Sequence, residues 1–177
     1  VSSAKERKKD KFSYYENLER VFNICGMKLK KDKFMCLYFH DSDLSVWNNL
    51  IKSIYDSGFT FMGQSHIKRN VTLKNIISPK KSLNGDSILF FMNAKVKNRY
   101  LPGKENIEEI ELNVLNEAKH MLKTLGPLST PELYDNGLME LLIVNGWLEK
   151  LSKKYKSLVE LFEKSFYWNS YTAKWSL

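Results

Sequence analysis

The spacing of hydrophobic and polar residues changes near residue 100 and divides the chain into two halves. Residues 12–93 combine short, uninterrupted apolar runs with segments of helical spacing, whereas residues 105–165 show mostly helical spacing. Short apolar runs rich in aromatic residues favour strands, and apolar residues three and four positions apart favour helices. The first half is therefore predicted to be α/β and the second half to be helical.

Within the first half, the pattern predicts the order helix, strand, helix, strand, long connection, strand. Residues 34–39 form an apolar run that predicts a strand buried on both faces, as in a parallel sheet, with Cys36 as a small buried residue. A strand, a helix and a second strand in this order predict a right-handed crossover. Three strands are few for an open α/β sheet. We therefore expect another part of the protein, or another subunit, to complete the sheet.

The second half begins after residues 94–104, a segment without apolar periodicity that includes Pro102-Gly103. A helix is predicted over 107–125, followed by a capping box at Ser129 and Glu132 that starts the next helix. Further predictions are a helix over 152–165 and a short terminal hairpin, from which Trp168 and Trp175 pack back onto the rest of the chain. The predicted domains are residues 1–96, the α/β part, and residues 105–177, a helical accessory domain with possible winged-helix character.

Positive charge is concentrated in one part of the chain. The net charge is +8, and residues 64–104 alone carry nine bases and one acid. A local excess of bases indicates a phosphate-bearing partner. This segment includes the predicted connection between the second and third strands, residues 64–85, and connections of such length in compact domains are usually functional or disordered. The alternative is a solvated, lysine-rich loop. The candidate nucleic-acid-binding residues are Gln64, His66, Lys68, Arg69, Asn70, Lys74, Lys80 and Lys81.

Common catalytic and metal-binding signatures do not occur in the sequence. It contains no P-loop, no GxGxxG or GxSxG string and no EF-hand loop, and its two cysteines and three histidines lack the spacing of a metal site. We therefore predict neither catalytic residues nor a metal. Without a disulfide framework and without an apolar run of about 20 residues, we expect a cytoplasmic location and no membrane partner.

The stretch FMCLYFHDSDLSVWNNLIKSIYDSGFTF resembles the segment that follows the catalytic motif in amino-group DNA methyltransferases. The later stretch LKNIISPKKSLNGDSILFF is also similar to these enzymes, so that the resemblance covers roughly residues 12–93. The matching positions include Leu29, Phe39, His40, Asp43, Trp47, Leu50, Gly58 and Phe59.

The resemblance implies a Rossmann-like sheet that ends in an antiparallel strand, together with S-adenosylmethionine as the cofactor of the parent protein. Neither the FxGxG loop nor the [DNS]PP[YFW] motif of the family occurs here. The chain thus resembles either the C-terminal part of such a methyltransferase or a degenerate partner subunit. The resemblance favours an enzyme that modifies the amino group of adenine, and cytosine is the alternative target base. The Val at position 1 agrees with a chain that starts inside a longer one. No cofactor is expected for this chain alone.

The partners implied are DNA and either the missing N-terminal part of the same protein or a partner subunit. His40 and Asp41 follow a predicted strand, where α/β proteins place ligands, and are candidates for the pocket wall. A capping and packing role for His40 is the alternative. Two other functions remain open, a nonenzymatic nucleic-acid-binding module with a winged-helix-like unit over residues 119–151, and a protein-interaction scaffold.

Overall fold

A computed structural model describes residues 11–67, 80, 86–96 and 99–177 of the chain. It has mixed α/β character, with a three-stranded sheet in the first half and helices with a small hairpin in the second. The elements of the first half are α1 (Lys11–Lys28), β1 (Phe34–Phe39), α2 (Leu44–Asp56), β2 (Phe59–Ile67) and β3 (Asp86–Asn93).

The sheet has the order β1-β3-β2, and β3 is antiparallel to both neighbours. The prediction of a parallel sheet is therefore wrong, because each pair of neighbouring strands is antiparallel. Strands β1 and β2 nevertheless point in the same direction, because each is antiparallel to the strand between them. The strand–helix–strand unit β1-α2-β2 thus crosses over β3, which enters the sheet last.

Strand β1 lies at an edge and is not buried on both faces, contrary to the prediction from its apolar run. Its side chains alternate, and Phe34 and Tyr38 are 57% and 65% exposed. Cys36 lies between them and is exposed, so the prediction that it is buried is wrong. On the opposite face, Phe39 packs edge-to-face on Trp47 of α2. Among the described residues, the helices therefore cover one face of the sheet.

Helix α1 runs past Gly26 and ends at Lys28. A Cβ at Gly26 would lie 2.6 Å from the carbonyl oxygen of Ser57, so the glycine permits close approach of α1 to the end of α2. The end of α1 is held by Asn93, whose buried Nδ2 donates to the carbonyl oxygens of Gly26 and Leu29 at 2.9 and 2.8 Å. This contact ties the helix to the end of the central strand.

In the second half, a helix predicted to run from residue 131 to 144 is divided by a five-residue π-helical turn, Tyr134–Leu138. Gly137 within this turn has φ +126°, a conformation open to glycine and strained for other residues. The helix predicted over residues 152–165 is likewise split in two. The elements are α3 (Ile107–Leu125), α4 (Thr130–Leu133), the π turn, α5 (Met139–Val144), α6 (Leu148–Lys154), α7 (Val159–Phe162), β4 (Tyr167–Asn169) and β5 (Lys174–Ser176).

The buried apolar residues of the two halves form one continuous core. Tyr100 belongs to it from the intervening segment, with its ring beside Tyr55 of α2 and its hydroxyl donating to the carbonyl oxygen of Leu142 at 3.1 Å. The backbone N–H of Leu44 donates to the carbonyl oxygen of Lys156 at 2.8 Å. Within the described ranges, no helix is both long and apolar enough to cross a bilayer.

Candidate functional site

The structure places three of the eight predicted nucleic-acid-binding residues. Gln64 and His66 lie on β2, which extends further than expected, and not on the connection where the sequence pattern put them. Lys80 lies in the connection and contacts the C-terminal half. Lys68, Arg69, Asn70, Lys74 and Lys81 fall outside the described residues.

A cluster of polar side chains joins the sheet to the π turn, and we call it the Asp135 cluster. It consists of Gln64, His66, Ser87 and Asp135. His66 and Ser87 are cross-strand neighbours on β2 and β3. The Nδ1 atom of His66 lies 2.5 Å from Oδ2 of Asp135, and the Ser87 hydroxyl donates to Oδ1 of the same carboxylate at 2.9 Å. Both oxygens of one carboxylate therefore contact the sheet.

Gln64 completes the cluster through its amide group. Its Nε2 donates to the carbonyl oxygens of Tyr134 and Asp135, at 3.1 and 3.3 Å. A π-helical turn leaves some backbone carbonyls without the usual helical partner, and a side-chain amide can satisfy them. Gln64 therefore stabilises the irregular backbone that presents Asp135.

Burial dominates the electrostatics of this cluster. The side chains of His66 and Asp135 are only 16% and 9% exposed. Burial raises the pKa of the Asp135 carboxyl above its ordinary value, while His66, the hydrogen bond from Ser87 and the more distant His40 act in the opposite direction. The cluster faces the contact between the two halves, so its geometry suits a structural connection better than catalysis.

Asp135 and Ser87 were not among the residues predicted from the sequence. They are 48 positions apart, so no local spacing reveals their contact. The one signal available was the string Asp135-Asn136-Gly137 inside a helical pattern, since Asp-Asn-Gly is typical of turns.

Lys80 anchors the connection between β2 and β3 to the helical half. Its carbonyl oxygen accepts a hydrogen bond from the Thr130 hydroxyl at 2.7 Å, and its Nζ lies 2.7 Å from the carboxylate of Glu163. The same ammonium group lies 5.1 Å from the ring centre of Trp175. The charge of Lys80 is thus already paired, which lowers its expected contribution to phosphate binding.

The two candidates for a pocket wall lie at the end of β1. Nδ1 of His40, which is partly exposed, lies 3.8 Å from Asp86 at the start of β3. The side chain of Asp41 accepts from the backbone N–H of Asp43 at 2.8 Å, and its carbonyl oxygen accepts from Nε1 of Trp47. Asp41 therefore organises the turn into α2, and the structure gives it a local structural role.

Two of the surface grooves formed by the described residues contain none of the predicted site residues. One, of about 380 Å³, lies beside the π turn and includes Glu117 and Glu140. The other, of about 360 Å³, lies between α3 and the C-terminus. Among the described residues, no three histidine, cysteine, aspartate or glutamate side chains are grouped so that they could hold a metal ion.

No protein-family model matches this chain, and neither a curated protein nor a solved structure shows significant similarity to it.

Proposed function

We propose that this chain is the C-terminal portion of an S-adenosylmethionine-dependent DNA methyltransferase that modifies the amino group of adenine. In this role it completes the central sheet of the enzyme and contributes to DNA contact. The missing N-terminal part, or a partner subunit, supplies the cofactor loop and the catalytic motif, since neither sequence occurs in these 177 residues.

The observation that carries this proposal is the arrangement of the three strands. The resemblance implies a sheet whose last strand is antiparallel, and β3 is antiparallel to both of its neighbours. Strand β1 has a free edge in the described sheet, and its sequence FMCLYF contains no charge or proline that would discourage further pairing. An additional strand on this edge would extend the sheet, as a larger α/β domain requires.

The face of the sheet that the described helices do not cover supports the same proposal. Phe34, Cys36 and Tyr38 on β1 share this face with Ile88, Phe90 and Met92 of β3, which lie directly opposite them. Large contiguous apolar patches usually mark contacts with another protein segment. Helices from the rest of a methyltransferase domain would cover this face, as both faces of such sheets are normally covered.

Cofactor binding tests whether the cofactor loop lies outside this chain, as proposed. We expect no binding of S-adenosylmethionine by the chain alone in a calorimetric titration, and micromolar binding would contradict the proposal. The reading frame upstream of Val1, or a neighbouring frame that encodes a copurifying subunit, should contain the FxGxG and [DNS]PP[YFW] motifs. Absence of both motifs from these frames would also contradict it.

DNA contact is proposed from the sequence of the connection. Residues 64–81 contain five bases and no acid. If each base met one phosphate, the logarithm of affinity would fall with the logarithm of salt concentration at a slope of about −4 to −5. Lys80 is already paired with Glu163, so we expect a slope nearer to −4.

A pair of alanine variants measures this contribution. Lys68→Ala combined with Arg69→Ala should weaken duplex binding several-fold and reduce the slope by about two units, as expected for two lost phosphate contacts. The matched control is Lys30→Ala with Lys31→Ala, an exposed basic pair in the turn before β1. Fluorescence anisotropy across a salt series gives both quantities. Equal behaviour of the two double variants would contradict DNA contact by the connection.

A nonenzymatic nucleic-acid-binding module is the second candidate, and one observation favours it. Backbone N–H and carbonyl groups of Leu128 and Trp175 pair in both directions, at 3.1 and 2.7 Å. The C-terminal half thus has the order helix, single-residue β-bridge, helices, hairpin, in which the bridge residue pairs with the hairpin, an arrangement similar to that of winged-helix units. DNA binding together with upstream frames that lack methyltransferase motifs would favour this candidate.

A further inference from the structure

The C-terminal hairpin differs in charge from the helices that carry it. Residues 105–163 contain eleven acids and six bases, whereas the hairpin, residues 167–176, contains one lysine, no acid and four aromatic residues. Basic and aromatic residues together are typical of surfaces that bind nucleic-acid strands, because the cations meet phosphates and the rings stack on bases. The hairpin is therefore the part of this half that suits a nucleic-acid partner.

The base of the hairpin is fixed firmly to the core. Trp175 is fully buried, and its indole N–H donates to the Thr130 hydroxyl at 2.9 Å. The rings of Phe162 and Trp168 pack edge-to-face against it, at 5.7 and 4.9 Å between ring centres. Such packing holds strands β4 and β5 in one orientation, so the side chains at the tip are presented in a defined position.

The tip of the hairpin presents one large ring to solvent. Oδ1 of Asn169 accepts from the backbone N–H groups of Tyr171 and Thr172, at 2.9 and 3.1 Å, and this fixes the turn. The Tyr171 side chain is 99% exposed, and Tyr167 on the adjoining strand is 66% exposed. An isolated ring at a tip offers little area to a protein partner but is sufficient to stack on a single base.

One residue of the connection that is proposed to contact DNA lies beside the hairpin. Lys80, which belongs to that connection, lies against Trp175 and Glu163 at the base of the hairpin. At this residue the connection and the hairpin are neighbours on the molecule.

We propose that the hairpin from Tyr167 to Ser176 is a second nucleic-acid-binding surface, on which Tyr171 stacks against an accessible base and Lys174 contacts a phosphate. This inference rests on the proposed DNA contact and adds the site that engages an unpaired base. Stacking is tolerant of sequence and largely independent of salt, whereas a phosphate contact depends on salt. The two residues can therefore be distinguished experimentally.

The test is fluorescence anisotropy with a labelled single-stranded oligonucleotide and the matching duplex, each across a salt series. Tyr171→Ala should weaken single-strand binding about tenfold, which corresponds to about 1.4 kcal/mol, and should leave the slope against salt unchanged. Tyr171→Phe should bind like the wild type, because the ring remains. Lys174→Ala should make the slope shallower by about 0.7 for the single strand.

The control is Tyr38→Ala, which removes a phenol ring that is 65% exposed on β1, and it should bind like the wild type. If Tyr171→Ala binds as tightly as the wild type while Lys68→Ala with Arg69→Ala weakens binding, the hairpin inference is wrong and the proposed DNA contact stands. Equal losses in Tyr171→Phe and Tyr171→Ala would overturn stacking. If the wild type binds neither oligonucleotide, the hairpin inference and the DNA contact are both wrong.

Discussion

Asp43 caps the N-terminus of α2, where its Oδ1 accepts from the backbone N–H of Ser45 at 2.8 Å and from the Ser45 hydroxyl at 2.7 Å. Loss of an N-cap side chain typically costs about 1 kcal/mol. Asp43→Ala should therefore lower the free energy of unfolding by about 1 kcal/mol, as measured by urea denaturation at pH 7. An unchanged value would show that the helix start is held by other contacts.

The charge of Asp43 adds a pH dependence that a second variant isolates. Burial raises the pKa of this carboxyl, but the hydrogen bonds from Ser45 and the nearby Lys156 charge outweigh burial and lower the pKa overall. A lowered folded-state pKa stabilises the fold above the unfolded value of about 3.9, and this stabilisation is lost as the pH falls through the folded-state value. Asp43→Asn, which retains a good cap, should be slightly less stable than the wild type at pH 7, and the difference should shrink as the pH falls below the unfolded-state value of about 3.9.

Thr130 is fully buried and uses its hydroxyl twice, as donor to Lys80 and as acceptor from Trp175. Thr130→Val keeps the shape but leaves a buried indole N–H unpaired, which costs about 1–3 kcal/mol. Thr130→Ser keeps the hydroxyl and should be much closer to the wild type. Thermal denaturation of the three proteins measures the difference, and equal melting temperatures for the two variants would contradict this role.

Local contacts such as the Asp43 cap and the Ser129–Glu132 capping box could be predicted from the sequence, because both partners lie within three residues. The Asp135 cluster could not be, since its members come from β2, β3 and the π turn. Only the fold brings such residues together. The contacts of a residue could therefore be predicted from the sequence where its partner was close by in the chain.

At the scale of elements, β1 shows how an apolar run can mislead. Six apolar residues in succession are typical of a strand covered on both sides, yet one face and one edge of β1 are uncovered in the described sheet. If the rest of a methyltransferase domain covers that face, as proposed, the prediction of a strand buried on both faces would hold for the complete protein. The position of β1 was predicted to the residue, whereas its apolar run gives no signal of the antiparallel pairing with β3.

The exposed edge of β1 leads to a prediction about self-association. A flat, uncharged edge strand can pair with the same strand in another molecule. We expect the isolated chain to form oligomers at micromolar concentration, and Tyr38→Lys, which introduces a charge on this strand, should reduce them. Sedimentation velocity measures the distribution. The control is Tyr171→Lys, an exposed position away from the sheet, which should leave the oligomers unchanged. A monomeric wild type would contradict the prediction.

At the scale of the whole molecule, the amino-acid composition changes around Pro102-Gly103, but the buried core continues from one half to the other. Composition and periodicity indicated two domains, but they do not report packing between elements distant in the chain. Helix α2 of the first half packs on α6 of the second, and Tyr100 lies between Tyr55 and Leu142. The two halves should therefore unfold together, even if trypsin cleaves the segment between them.

Tyr100 provides the test of that cooperativity. Burial raises the pKa of its hydroxyl, which therefore remains a hydrogen-bond donor to Leu142 at all ordinary pH values. Tyr100→Phe should lower the free energy of unfolding by about 1 kcal/mol through loss of this bond, and Tyr100→Ala by about 3–5 kcal/mol through loss of the ring from the core. Circular dichroism and tryptophan fluorescence should give one coincident transition for the wild type and for each variant. Two separate transitions, only one of which shifts in Tyr100→Ala, would show that the halves are independent domains.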